Sequence, residues 1–236
     1  SITFNSTVNI SNIFISYNFF AFFINCYVSN TQACVFDFDS TLMDGETITI
    51  LSSAMGKDKE VGEITARAMA GELDFYESLV RRVRLIEGLE LSRALEITSN
   101  LPFIAGAKEI IAYLKSKNIK TVVFSGGFHI ATDAAQKKLG FDLNFANELH
   151  HKNGILTGNV GGEMMFGDSK GKMLLRLKDF MGLSSDEVAC VGDGANDLSM
   201  FKEAGTGIAF CANKILKEAA THIIDIKDLN EIKKII

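Results

Sequence analysis

Residues 33–41 read ACVFDFDST, in which four apolar residues lead directly into two aspartates, Asp37 and Asp39. Short runs of strand-forming residues that end in polar residues are typical of strands buried on both faces. The two aspartates therefore follow a buried strand at its carboxyl end. Because side chains two residues apart on an extended backbone point the same way, we expect the two carboxylates to face one place.

Further strand-like runs follow, and helical patterns separate them. The strand-like runs are 119–124, 188–191, 206–210 and 222–224, and the clearest helical patterns are 106–117 and 170–181. Strands that alternate with helices of this length predict βαβ units with right-handed crossovers. The sequence therefore predicts an α/β fold, with a doubly wound and mostly parallel sheet covered by helices on both faces.

The stretch between the first two strand-like runs has helical patterns throughout and looks inserted. An open parallel sheet binds its ligand outside the carboxyl ends of its strands. An insert that leaves from the first strand's carboxyl end would cover that site as a cap. We therefore expect a catalytic core over 33–45 and 104–236, with a helical cap domain over 46–103.

An Asn-Gly pair at 153–154 predicts a β-hairpin over 147–162, which we expect to lie outside the main sheet. His150 and His151 precede this turn, so a solvated loop tip is favoured over a metal site for them. We assign neither histidine a functional role.

The N-terminal stretch differs from the rest, because residues 1–36 contain no charged side chain. Its most apolar part, 13–28, is shorter than the roughly 20 residues that a membrane-spanning helix needs. It also lacks the basic segment that begins a secretory signal. We interpret residues 1–32 as an extension of unknown role, an expression remnant or a mis-set start, and we expect no membrane association.

Charge and cysteine content narrow the choice of partners and compartment. The net charge of −5 leaves no basic surplus to neutralise nucleic-acid phosphates, so we expect no nucleic-acid partner. Cys34 and Cys190 lie inside strand-like runs, and no two cysteines form a CxxC pair. That pattern favours core packing in a reducing cytoplasm over a disulfide or metal framework. Monomer and homodimer are both consistent with the sequence.

Each polar cluster at a strand end, taken alone, is consistent with a catalytic or binding role and also with an ordinary structural one. Asp37 and Asp39 can divide attack and proton transfer between them, although many strand ends carry such pairs as capping or loop residues. Backbone N–H groups at Ser125-Gly126-Gly127 can hold a phosphate, although an ordinary turn explains them equally well. Asp193, opposite Asp37, completes a carboxylate pair suited to Mg²⁺, whereas an Asx-rich helix cap is the alternative.

The order of these clusters carries more information than any one of them. FDFDSTLMDGETI at 36–48, FSGGF at 124–128, SKGKM at 169–173 and VGDGANDLSMF at 191–201 occur in that sequence. In these motifs the chain resembles the haloacid dehalogenase superfamily of phosphatases, and within it the phosphoserine phosphatase family. The resemblance covers about residues 33–236.

The resemblance implies a role for each residue of the core motifs. It implies that Asp37 is the nucleophile and that Asp39 is the general acid and then the general base. Three residues would hold the phosphoryl oxygens: Ser125, Gly126 and Lys170. Mg²⁺ would be held by Asp37, the backbone carbonyl of Asp39 and Asp193. Thr41 and Asp197 would support these ligands, and Asn196 would lie near the substrate.

The resemblance also implies a substrate, O-phospho-L-serine, and with it the last step of serine biosynthesis. Glu46 would bind the amino group and Arg82 the carboxylate, although Arg81, Arg82 and Arg84 are also consistent with a solvated helix face. Met69 and Phe75 would form an apolar lid. A specific enzyme needs both charged partners because a buried unpaired charge is costly.

Three alternatives remain at this point. The first is a phosphatase for another small phosphomonoester, such as phosphohomoserine or phosphothreonine. The second is a phospho-accepting receiver module, against which Asp39 argues, because a second carboxylate that activates water shortens the lifetime of an acyl phosphate. The third is a dehalogenase, which would need neither Mg²⁺ nor the second aspartate.

Overall fold

The computed structural model describes residues 30–236, except for the side chain of Met69. The interpretation of residues 1–32 therefore falls almost entirely outside the described residues. Seven strands form one sheet in the described part of the chain, in the order β4-β3-β2-β1-β5-β6-β7. These strands are β1 (Ala33–Asp37), β2 (Lys120–Phe128), β3 (Leu143–Lys152), β4 (Ile155–Gly162), β5 (Val188–Gly192), β6 (Thr206–Phe210) and β7 (His222–Ile224).

The helices occur between the strands and in one long insert after β1. They are α1 (Thr47–Ser53), α2 (Asp58–Met69), α3 (Phe75–Arg84), α4 (Leu91–Thr98), α5 (Ala107–Ser116), α6 (His129–Leu139), α7 (Ser169–Met181), α8 (Leu198–Phe201) and α9 (Lys214–Ala219). Short 3₁₀ segments span Ser185–Glu187, Ala195–Asp197 and Leu229–Lys234. No helix in residues 30–236 is long and apolar enough to cross a membrane.

The central strands of the sheet are buried on both faces, as the apolar runs predict. All five residues of β1 are buried, and alternate ones belong to different clusters. Cys34 and Phe36 pack with residues of α5 and α6, whereas Ala33 and Val35 pack with residues of α7. Every neighbouring pair of strands is parallel except β3 and β4. The predicted doubly wound α/β fold is therefore confirmed.

The hairpin prediction is right about the turn and wrong about the sheet. Asn153 and Gly154 both have positive φ, as a tight hairpin turn requires. However, its first strand begins early, at Leu143, and pairs in parallel with β2, so the hairpin forms one edge of the main sheet. His150 and His151 lie exposed on β3 rather than in a loop tip. The sequence missed this because 143–146 lacks a continuous apolar run.

The helical insert rests on this hairpin. Side chains of α1 and α3 form a third cluster with Leu149 and Leu156 of the hairpin. Three hydrogen bonds join the backbones: Gly88 N–H donates to the Leu156 carbonyl and Leu156 N–H to the Leu89 carbonyl, each at 2.9 Å, and Leu91 N–H donates to the Gly154 carbonyl at 2.8 Å. The hairpin therefore holds part of the insert beside the carboxyl ends of the central strands.

Candidate active site

The polar motifs meet where β1, β2 and β5 end. Asp37 pairs in register with Phe124, which precedes Ser125, and Phe36 pairs with Val191, which precedes Gly192 and Asp193. Carboxyl ends of parallel strands lie at one edge of a sheet, where ligands bind in folds of this type. A cavity of about 740 Å³ opens at this edge, between the core and the insert.

A tight loop carries the first motif away from β1. The backbone N–H groups of Leu42 and Met43 both donate to the Phe38 carbonyl, at 2.9 Å. Ser40 has φ of 60°, and its N–H donates to the Gly45 carbonyl. The loop folds back on itself in this way, so Asp37 and Asp39 both line the same cavity.

Lys170 joins two buried aspartates beneath the cavity. Its Nζ lies 2.6 Å from Asp37 Oδ1 and 2.6 Å from Asp197 Oδ1. The second oxygen of Asp197 accepts hydrogen bonds from the backbone N–H groups of Asp193 and Gly194, both 3.0 Å long. Asp37, Asp193, Asp197 and Lys170 are called the floor below, and their charge is unbalanced because three carboxylates face one ammonium.

Burial and neighbouring charges shift the pKa values of Asp37, Asp193 and Lys170. Burial raises the pKa of Asp37 well above its usual range, and the charge of Asp197 adds to this, while Lys170 acts in the opposite direction. Burial also raises the pKa of Asp193 to about 7. For Lys170 burial alone would lower the pKa, but the two neighbouring carboxylates outweigh it and raise the pKa above its usual value.

The floor has the chemistry of a metal site. One oxygen from each of Asp37, Asp193 and Asp197 lies within 4.8 Å of the others, so the three carboxylates can hold a metal ion. Hard cations prefer such oxygen ligands, and a cation would offset the excess negative charge that raises these pKa values. Thr41, which is fully buried, donates from Oγ1 to Asp193 Oδ1 at 3.4 Å and so orients that carboxylate.

The last part of β2, beyond a shift of register between Phe124 and Phe128, lies close to other side chains of the site. Ser125 is fully buried, and its Oγ accepts a hydrogen bond of 2.9 Å from Gly127 N–H. A Cβ on Gly127 would lie 2.8 Å from Asp39 Oδ2, and a Cβ on Gly126 would lie 2.7 Å from the Phe75 ring. A larger residue at Gly127 would displace the Asp39 side chain, and one at Gly126 would displace the Phe75 ring. The strand extends to Phe128, past the predicted end at 124.

Asp39 is held by Thr47, the first residue of α1. Its Oδ1 accepts from Thr47 N–H at 2.9 Å and from Thr47 Oγ1 at 2.6 Å. Burial raises the pKa of Asp39 to about 6, against the lowering effect of these two hydrogen bonds. A carboxyl group with this pKa can exchange a proton near neutral pH.

The insert covers the cavity with an ion pair. Arg82 Nη1 lies 3.1 Å from Glu46 Oε2, and both side chains line the cavity. Arg81 instead points away and pairs with Glu77 on the exposed face of α3. Of these two neighbouring arginines, it is therefore Arg82 that faces the site.

Aromatic side chains close the gap between insert and core. Phe75 lies over Gly126 and Gly167 of the core. Its neighbour Tyr76 stacks on Phe166, with ring centroids 5.4 Å apart and an angle of 16° between the rings. Glu46, Phe75 and Arg82 are called the roof below. Asn196 also lines the cavity, whereas the side chain of Met69 falls outside what the structure describes.

Two buried polar residues at the site escaped the sequence analysis. Thr47 holds Asp39, and Asn147 of β3 links the last part of β2 to the segment before α7. Asn147 Nδ2 donates to the carbonyls of Gly126 and Met164, and its Oδ1 accepts from Met164 N–H. Asn147 is the first residue of the predicted hairpin, and neither it nor Thr47 was assigned a role from the sequence.

The comparisons with known proteins agree on one family. A family model described as haloacid dehalogenase-like hydrolase matches residues 31–205. A phosphoserine phosphatase from Campylobacter jejuni subsp. doylei is 62% identical over 205 residues, which make up 87% of this chain and 99% of that protein.

Solved structures point the same way. A phospho-aspartyl intermediate analogue of a phosphoserine phosphatase matches with 43% identity and a TM-score of 0.83, over 87% of this chain and 99% of that one. A substrate-bound phosphoserine phosphatase complex matches with the same identity and TM-score, over 87% and 98%. The family match, the fold and the site agree, and the chain belongs to the haloacid dehalogenase-like hydrolase family.

Proposed function

We propose that this chain is a Mg²⁺-dependent phosphatase that hydrolyses O-phospho-L-serine to L-serine and phosphate through a phosphoryl-aspartate on Asp37. One observation carries the proposal: a buried aspartate lies in the same cavity as an acidic and a basic side chain that face each other from the insert. An amino acid presents the opposite pair of charges. Two relatives that match over most of this chain are phosphoserine phosphatases.

The metal is proposed to be Mg²⁺, held by Asp37, Asp193 and the backbone carbonyl of Asp39. Asp197 and Thr41 support this set, because Asp197 already holds Lys170 and two backbone N–H groups. When bound, the ion reduces the repulsion between a phosphate dianion and the attacking carboxylate.

In the first step Asp37 attacks phosphorus while Asp39 gives its proton to the departing serine oxygen. Lys170, Ser125 and Gly126 hold the phosphoryl oxygens. In the second step Asp39, now ionised, takes a proton from the water that displaces Asp37 from phosphorus. A pKa of about 6 for Asp39 suits both steps, since the group must be acid and base in turn.

The roof is proposed to recognise the amino-acid part of the substrate. Glu46 pairs with the ammonium group, and Arg82 binds the carboxylate through two parallel hydrogen bonds. Phe75 shields the reacting groups from water, and Met69 is assigned to the same lid on the basis of the sequence. Asn196 contacts the substrate or the water. Residues 46–103 then form the cap domain over a core made of 33–45 and 104–236.

A cytoplasmic location is proposed because Cys34 and Cys190 are buried free thiols in neighbouring strands. No nucleic-acid partner is proposed, because the net charge is −5. Size-exclusion chromatography distinguishes the monomer from the homodimer that the sequence allows.

A substrate panel tests the reaction, the metal and the specificity together. Phosphate release is measured from phosphoserine, phosphothreonine, phosphohomoserine and p-nitrophenyl phosphate, each with Mg²⁺ and with EDTA. We expect phosphoserine to have the highest kcat/KM and EDTA to abolish turnover. Release from phosphoserine no faster than from the aryl phosphate would overturn the substrate. A phosphoryl-aspartate that persists for minutes would indicate a receiver-type module.

A further inference from the structure

Thr47 makes two contacts with the second aspartate of the site. It is the first residue of α1, and it is fully buried. Its backbone N–H and its hydroxyl both donate to Asp39 Oδ1, at 2.9 Å and 2.6 Å. Two donors on one oxygen fix the rotation of the carboxyl group.

The other oxygen of Asp39 lies on the side of Gly127 and Ser125. A Cβ built on Gly127 would lie 2.8 Å from Asp39 Oδ2 and 3.1 Å from Ser125 Oγ, so these two oxygens approach the same spot. Within residues 30–236 neither donor of Thr47 reaches Oδ2, and both go to Oδ1. Oδ2 is therefore left for exchange with a substrate.

We propose that Thr47 is a positioning residue that confines the catalytic proton of Asp39 to Oδ2. The inference rests on the proposed function, in which Asp39 is the acid and then the base. In a protonated carboxyl group the carbonyl oxygen is the better acceptor, and the hydroxyl oxygen is the donor. The two donors of Thr47 make Oδ1 the carbonyl oxygen, so the proton is carried on Oδ2, beside Ser125 and Gly127.

In both steps the same atom, Asp39 Oδ2, then gives or takes the proton. As the bond from Asp37 to phosphorus forms and the ester P–O bond breaks, Oδ2 gives its proton to the leaving serine oxygen. In the second step a water oxygen bonds to phosphorus, the bond to Asp37 breaks, and Oδ2 takes the proton of that water. Asp39 ends protonated, as it began.

Thr47 also connects proton transfer to the insert. It precedes Ile48, and Ile48 and Leu51 of α1 pack in the cluster that the insert shares with the hairpin. Because the donor belongs to α1, the carboxyl group is oriented when α1 is seated in that cluster. The insert thereby contributes to the chemistry as well as to substrate recognition.

The test compares Thr47→Val, which removes the hydroxyl donor at nearly constant volume, with Thr47→Ser, which keeps it. Thr49→Val is the matched control, because Thr49 is exposed on the same helix. We expect Thr47→Val to lower kcat for phosphoserine about 10- to 100-fold with KM changed less than about threefold. Thr47→Ser should restore most of the rate, and Thr49→Val should leave it unchanged.

Two further measurements separate positioning from a structural role. In an Asp39→Asn background, Thr47→Val should lower kcat no further, because no proton remains to be positioned. In single-turnover experiments Thr47→Val should slow release of serine more than release of p-nitrophenolate, which leaves without a proton. Equal slowing of both leaving groups, an additional loss in the Asp39→Asn background, or a Thr47→Ser variant as slow as Thr47→Val would each overturn the proposal.

The wild-type enzyme distinguishes this failure from a failure of the proposed function. If it does not hydrolyse phosphoserine, the proposed substrate is wrong, and the same variants are compared on whichever alkyl phosphomonoester it does hydrolyse. The positioning proposal then stands or falls on that substrate, since it concerns the leaving-group proton and not the amino acid.

Discussion

The ion pairs in the floor and in the roof of the cavity differ in burial and in length. In the floor, Lys170 is 3% exposed and touches two aspartates at 2.6 Å each. In the roof, the Arg82–Glu46 pair is 3.1 Å long, and the Glu46 side chain is 42% exposed. Removing one member of a buried ion pair is costly, whereas a pair open to solvent contributes little to stability.

The difference indicates which ion pair a bound substrate can replace during turnover. The floor is held by contacts that also maintain the fold, so its geometry is fixed before the substrate arrives. The roof pair is partly exposed to solvent, so a substrate that carries both charges can replace it at a small cost in free energy. Changes in the floor should therefore affect chemistry and stability, whereas changes in the roof should affect substrate choice.

The largest effect is expected from the proposed nucleophile. Asp37→Asn keeps the shape of the floor but removes the attacking oxygen, and we expect kcat to fall by roughly 10⁴-fold or more. The measurement is phosphate release, with trapping of the phosphoryl-enzyme in parallel. Retained labelling of the variant protein by phosphate would place the nucleophile elsewhere.

The next effect concerns stability. Lys170→Met leaves Asp37 and Asp197 as unpaired buried carboxylates, and we expect the free energy of unfolding to fall by about 3–5 kcal/mol. Lys172→Met on the same helix is the matched control. Its partner is Asp168, and both side chains are exposed, so the expected loss is about 0–1 kcal/mol. Urea unfolding measures both, and equal losses would contradict the comparison.

The pH dependence of stability should reveal the buried carboxyl groups of Asp39 and Asp193. In metal-free protein the pKa values of Asp39 and Asp193 are raised to about 6 and about 7, above the unfolded value near 3.9. Between these limits the folded state binds more protons than the unfolded state, so stability falls as pH rises from about 4 to 7. We expect a decrease on the order of 2–5 kcal/mol.

Urea unfolding in EDTA at pH 5 and pH 7.5 measures this decrease, and added Mg²⁺ should oppose it at the higher pH. Asp193→Asn is the control, because it removes one of the titrating groups and should flatten the profile. Stability that rises with pH over this window in EDTA would show that Asp39 and Asp193 are not the dominant titrating groups.

A substitution in the roof is expected to change the substrate preference. Arg82→Ala should raise KM for phosphoserine about 10- to 100-fold, because the substrate carboxylate loses its partner, and leave p-nitrophenyl phosphate hydrolysis nearly unchanged. Arg81→Ala is the control on the same helix, since Arg81 faces solvent and pairs with Glu77. An equal loss of kcat/KM for both substrates would show that Arg82 acts in the chemistry or in folding rather than in substrate recognition.

The smallest effect is expected at the edge of the roof. Tyr76 and Phe166 stack across the gap between insert and core, and such pairs contribute about 0.5–1.5 kcal/mol. A double-mutant cycle with Tyr76→Ala and Phe166→Ala, read by urea unfolding, measures the coupling. We expect the double variant to be cleaved faster by protease within the insert. Additive effects of the two substitutions would show that the stack contributes nothing of its own.

The central part of the fold was predictable because local sequence specifies it. The apolar run before Asp37 and the one before Asp193 predicted the two strands that the structure shows, since a strand buried on both faces needs continuous apolar residues. The edge of the sheet was not predictable in the same way. Leu143 is exposed on β3, and the strand is held by pairing with β2 rather than by its own hydrophobic pattern.

The sequence by itself determined the order of the motifs, the parallel core and the family to which the chain belongs. Spacing along the chain carries that information. The family resemblance already implied Arg82, but only the tertiary structure showed that the side chain of Arg82 pairs with Glu46 while that of Arg81 pairs with Glu77, and that Thr47 holds Asp39. These facts depend on how α1 and α3 are rotated against the hairpin. That rotation is set by packing between residues distant in sequence, which no local pattern encodes.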